Sequence, residues 1–116
     1  MSDGTVTTAV RSASIGHPGR ALNSARTHHF VLDSSTKPEA LSNTESFLAG
    51  ISSCAVTLIE NYAVANKVPL AGMSATITGT QDRADPTKFR QIEVLLEMRG
   101  VGRADADRLA EVWKAR

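Results

Sequence analysis

Between residues 43 and 66 the chain places Phe47, Ile51, Cys54 and Leu58 at spacings of three and four, with Val56, Ile59 and Ala63 beside them. This pattern predicts a helix of about 22 residues, apolar around most of its circumference, and it constrains the fold more than any other stretch. A chain of 116 residues offers such a helix little of its own protein to lie under. The helix is therefore expected at the centre of the domain, with Pro69 ending it. Ala49, Gly50, Ser52, Ser53 and Ala55 are small enough to let a second helix approach closely.

The segments on either side read as extended. Residues 5–12 predict a strand with Val6, Thr8 and Val10 on one face, and Gly16, His17, Pro18 and Gly19 supply a turn. Residues 20–24 and 28–33 predict two further strands, the second carrying Phe30, Val31 and Leu32, and together the three form an N-terminal meander. Residues 34–41 are polar, contain Pro38 and read as a loop into the helix. Beyond it, Met73, Ala75, Ile77 and Gly79 alternate with serine and threonines. Residues 81–87, with Asp85 and Pro86, turn the chain, and residues 89–99 alternate again with Ile92, Val94, Leu96 and Met98 inward. Two such strands with one wet face predict an antiparallel hairpin. Residues 104–115 predict an amphipathic C-terminal helix through Ala106, Leu109, Ala110, Val112 and Trp113. The expected fold class is α+β, as a single domain over residues 1–116.

Composition narrows the function classes. A net charge of +1 without a basic block argues against nucleic acid and anionic membranes as partners. Aromatic residues make up only 4%, so the core must be built from Ala, Val, Leu and Ile. One cysteine cannot form an internal disulfide, and residues 1–8 are too polar for the apolar core of a secretory signal, which predicts a cytoplasmic protein. No uninterrupted apolar run reaches the roughly 18 to 20 residues of a membrane span. His28 and His29 are adjacent and face opposite ways on a strand, and no metal-ligand spacing joins them to Cys54. No metal or cofactor is expected.

The run from Asn43 through Glu45, Phe47, Gly50, Ser52, Ser53 and Cys54 to Leu58, followed by Tyr62, Ala63, Val68, Pro69 and Leu70, resembles the OsmC/Ohr family of osmotically induced and organic-hydroperoxide-resistance proteins. The similarity extends over about residues 6–115 and is strongest over 43–79. It implies an intertwined homodimer with two long central helices back to back and active sites shared between subunits. It also implies that Cys54 is a peroxide-reducing nucleophile acting on organic hydroperoxides, with a dithiol as reductant. Such a sulfur attacks as the thiolate and is oxidised first to the reversible sulfenic acid. Otherwise Cys54 is a small buried apolar side chain.

The resemblance assigns Glu45 the acidic position that hydrogen-bonds an arginine near the thiol. Residues 42–45 also fit a capping box, in which Glu45 bonds back to the cap residue. Nine residues at about 100° each set Glu45 on the opposite side of the helix from Cys54. The family's arginine falls in the turn at Gly16, His17, Pro18, Gly19 and Arg20, with His17 at its place and Arg20 three residues on; Arg20 otherwise reads as a solvated strand residue. The second, resolving cysteine of the family has no counterpart before Arg116. The expected reductant is therefore an external thiol, in a divergent or C-terminally shortened member. Two alternatives stand beside this reading: a non-enzymatic stress-response or ligand-binding dimer, and an unrelated α+β interaction module.

Overall fold

The computed structural model describes residues 4–34, 36–37 and 39–115. Pro38, expected in the loop before the helix, lies outside the described residues. The chain divides into two compact units, Met1–Ser46 and Phe47–Arg116.

In the first unit, β1 (Arg11–Ser14), β2 (Arg20–Ala25) and β3 (His28–Asp33) form an antiparallel sheet in that order. The β1–β2 connection closes on a turn in which the Arg20 amide donates to the His17 carbonyl. Pro18 sets the first central position and Gly19, at φ 89, the second, the requirement of a type II turn. A side chain at Gly19 would also meet the Ser34 hydroxyl at 2.8 Å. The β2–β3 hairpin turns on Arg26 and Thr27, with Arg26 left-handed at φ 56. That two-residue turn fixes the register, so Arg20 lies opposite Asp33 and Asn23 opposite Phe30. β1 is shorter and later than the strand expected over residues 5–12. Its ladder starts at Arg11 opposite Ser24, because β2 gives way to the turn just beyond.

Helix α1 (Asn43–Ala65) opens with the expected capping box. The Ser42 hydroxyl accepts the Glu45 amide at 3.0 Å, and the Glu45 carboxylate accepts the Ser42 amide at 2.9 Å. Its end differs from expectation, since Pro69 is not what stops it. Lys67 turns left-handed at φ 55, its amide donates to the Val64 carbonyl, and the Val68 amide donates to the Ala63 carbonyl. These two bonds make a Schellman motif, which satisfies the last carbonyls before the proline is reached.

In the second unit, α1 packs against a hairpin of β4 (Gly72–Asp82) and β5 (Asp85–Arg99) and against helix α2 (Arg103–Lys114). The core consists of Ile59, Ala63, Val68 and Leu109, with Tyr62, Leu70, Met73, Leu96, Met98, Val101 and Trp113 against it. Met73, Ala75, Ile77 and Gly79 face Met98, Leu96, Val94 and Ile92 across the hairpin, as the alternation predicts. Its turn is tighter than expected: Asp82 already pairs with Asp85, so β5 takes in Pro86, and the ladder shifts register on both sides of Gln81.

Two expectations about α1 need correction. Its buried face is only the line Ala55, Ile59 and Ala63, so the single chain leaves much of the helix open instead of enclosing it. By length and composition α1 is also apolar enough to cross a membrane, with a mean hydropathy of 1.4 over its best 18-residue window. Serine, threonine and glycine interrupt the apolar run that the sequence reading looked for without lowering the mean hydropathy much. A core helix has the same properties, and Ile59 and Ala63 are core residues.

Candidate functional site

The open side of α1 carries Phe47, Gly50, Cys54, Thr57, Asn61 and Val64, all exposed, at alternating spacings of three and four. That spacing is the seam a helix presents to another helix. Cys54 sits near the middle of it, a free and exposed thiol rather than a packed one.

Two open depressions meet at this sulfur. One, of about 380 Å³, is lined by Phe47, Gly50, Ile51, Cys54 and Trp113 and is mostly apolar. Gly50 leaves its floor low. Phe47 is held in place by stacking on Phe89, with ring centroids 5.7 Å apart and 15° between the planes. Phe89 in turn lies over Gly79, where an added Cβ would come within 2.5 Å of the ring. The missing side chain in β4 thus makes room for the aromatic pair that walls the depression. The other depression, of about 490 Å³, is lined by Cys54, Thr57, Leu58, Asn61 and Tyr62 and has hydroxyl and amide groups. The Thr57 hydroxyl is turned back to the helix, donating to the Ser53 and Cys54 carbonyls at 3.1 and 3.3 Å. Among the described residues, no lysine, arginine or histidine lines either depression.

The other residues singled out by sequence lie in the first unit. His17 and Arg20 come together at the β1–β2 turn, on a depression shared with Ser14, Gly16, Pro18 and Gly19. Arg20 is not the solvated strand residue of the alternative reading. Its Nε donates to Asp33 Oδ1 at 2.7 Å, and its Nη2 donates to Asp33 Oδ2 at 3.2 Å and to Glu39 Oε1 at 2.9 Å. Asp33 is wholly buried and also accepts the Ala40 amide at 2.7 Å. The guanidinium beside it, opposed by burial and helped by the Ala40 amide, holds the Asp33 carboxyl below the usual carboxylate range. The hydrogen bonds of Asp33 and then Glu39 raise the Arg20 guanidinium further above its ordinary value. Glu45 is engaged by Ser42, so the acid at the helix start and Arg20 have separate partners.

Sequence reasoning missed Asp33, Glu39 and Trp113. The first was readable: a two-residue turn at residues 26–27 places Arg20 opposite Asp33. Glu39 reaches Arg20 from an irregular loop, and Trp113 joins Cys54 in lining one depression through the packing of α2, neither of which a local pattern encodes. Among the described residues no cluster of His, Cys, Asp and Glu could hold a metal ion.

No protein-family model and no curated protein sequence matches the chain. Solved structures do. The OsmC-like protein from Mycoplasma pneumoniae superposes with a TM-score of 0.83 at 13% identity, over 96% of this chain and 82% of that one. The organic hydroperoxide resistance protein OsmC from Legionella pneumophila gives 0.69 at 20% identity, over 97% and 85%. OhrB, the organic hydroperoxide resistance protein of Bacillus subtilis, gives 0.66 at 14% identity, over 95% and 84%. The chain therefore has the OsmC-like α+β fold.

Proposed function

We propose that this protein is a thiol-dependent peroxidase of the OsmC-like kind, reducing organic hydroperoxides through Cys54 in the cytoplasm. The observation that carries this reading is the exposed thiol at the junction of an apolar, aromatic-walled depression and a more polar one. Two of the similar structures are named as organic hydroperoxide resistance proteins.

In this reading the Cys54 thiolate attacks the terminal peroxide oxygen and the O–O bond breaks. The alkoxide leaves with a proton as the alcohol, and the sulfur, oxidised by two electrons, becomes a sulfenic acid. An external dithiol then reduces it: its first thiol displaces water to form a mixed disulfide, and its second releases the Cys54 thiol and closes the reductant's own disulfide. The apolar depression receives the organic part of the peroxide, and the open polar side admits the reductant. Among the described residues the lining holds no cation, and the candidates the sequence names to activate the thiol, Arg20, His17 and Glu45, belong to the first unit.

The protein works as a homodimer, with the exposed seam of α1 laid against that of a second copy. Phe47 and Val64, 56% and 80% exposed, are then covered, and both depressions become enclosed.

One observation favours a second reading, a ligand-binding dimer without turnover: Arg20 is already engaged by two carboxylates. Dithiol-dependent consumption of tert-butyl hydroperoxide separates the two. Turnover by the wild type that disappears in Cys54→Ser supports the peroxidase; equal, background consumption by both proteins refutes it.

A further inference from the structure

Gly50 lies inside α1, where a glycine weakens the helix relative to alanine. Packing within the chain does not ask for it. Among the described residues, a Cβ built at Gly50 meets no atom within 4 Å, so the fold itself would take a side chain there. Gly79 is different: an added Cβ would come within 2.5 Å of the Phe89 ring, on which Phe47 stacks.

What Gly50 has above it is the thiol. Side chains on a helix lean toward its N-terminus and over the preceding turn, so Cys54 overhangs the residue four positions earlier, which is Gly50. Phe47 lies three residues further along the same face. At about 1.5 Å of rise per residue, Cys54 and Phe47 are about 10 Å apart along the axis, with Gly50 between them. Ile51 and the half-buried Trp113 complete the lining. Phe47 stays 56% exposed although one face of its ring is stacked on Phe89, which leaves ring surface for a further group.

We infer that Gly50 is the specificity-determining residue of this site: the gap it leaves beneath Cys54 admits a compact aryl group of the hydroperoxide, which lies against Phe47 and beside Trp113. The inference rests on the reading of Cys54 as a peroxide-reducing thiol. The sulfur attacks the terminal oxygen and the organic group trails behind it, so a larger residue at position 50 would occupy the space that group needs. A ring is favoured over a branched alkyl group because offset stacking on Phe47 adds to the apolar area buried. Hydrogen peroxide has no organic group to place and is indifferent to the gap.

The test enlarges position 50 in steps and reads selectivity. Rates of sulfenic-acid formation at Cys54 are measured with cumene hydroperoxide, tert-butyl hydroperoxide and hydrogen peroxide in wild type, Gly50→Ala and Gly50→Val. The ratio of the cumene to the hydrogen peroxide rate is expected to fall in that order, by roughly tenfold or more in Gly50→Val, and the tert-butyl ratio to fall less. Constant ratios, with all three rates falling together, would mean that the glycine serves close helix approach, and would overturn the inference. A second measurement does without the chemistry. Trp113 is the one tryptophan of the chain, so its fluorescence reports on this depression. In Cys54→Ser, cumyl alcohol, the product of the aryl peroxide, should change that fluorescence saturably, and adding Gly50→Val should weaken binding roughly tenfold. Equal binding by both proteins overturns the inference even where the thiol reacts. A thiol inert to every peroxide, with binding that still depends on position 50, removes the peroxidase reading and leaves Gly50 as the selector of a bound aryl ligand.

Discussion

Asp33 and Arg20 are the residues with the most to lose on acidification. The Asp33 carboxyl is buried and held as a carboxylate by the guanidinium, so its folded pKa lies below the unfolded value of about 3.9. Between those two values the unfolded chain binds more protons, so the stability this pair contributes is present above about pH 4 and is lost as pH falls through the folded value. Urea titrations over that window should show Asp33→Asn well below wild type at pH 6, with the gap narrowing steadily as the pH approaches the folded value. A gap independent of pH would mean that the carboxylate charge is not what matters. Little of this was legible in the sequence. The turn at residues 26–27 encodes that Arg20 faces Asp33, but nothing local announces that the carboxylate is enclosed. Cys54 behaves in the opposite way: its position on the helix was legible, whereas its exposure depends on which face α2 and the hairpin cover.

Among the elements, those with strong periodicity emerge where the sequence places them. Residues 28–33 form β3, Met73 to Gly79 alternate as expected, and α1 begins at Asn43 behind its capping box. The differences lie where one element's end is set by another. β1 starts late because β2 has run out, and α1 stops at Ala65, four residues before Pro69, because Lys67 adopts a left-handed turn. Both helix ends can be tested by thermal or chemical unfolding. Ser42→Ala removes one half of the capping box and should cost about 0.5–2 kcal/mol. Lys67→Gly relieves a left-handed non-glycine residue and should raise stability by about 0.5–1 kcal/mol; a loss would contradict the Schellman ending. Ile59→Ala empties the one large fully buried site on α1 and should cost about 2–5 kcal/mol.

At the scale of the whole molecule, one face of α1 stays open, and the homodimer proposed above would cover it. Val64, at 80% exposed, contributes little to the monomer, so Val64→Glu should keep the dichroism spectrum and shift sedimentation towards monomer. An unaltered dimer would move the interface off the α1 seam. The peroxidase reading rests on the same face, through a thiol that sits on it beside Phe47 and Trp113. Its most direct test is intact-mass spectrometry of the wild-type protein given one equivalent of tert-butyl hydroperoxide with a sulfenic-acid trap present. The account predicts rapid, stoichiometric trapping at Cys54, and faster trapping than with one equivalent of hydrogen peroxide. A thiol that stays unmodified in the folded protein, or that reacts no faster than in the unfolded chain, would contradict it.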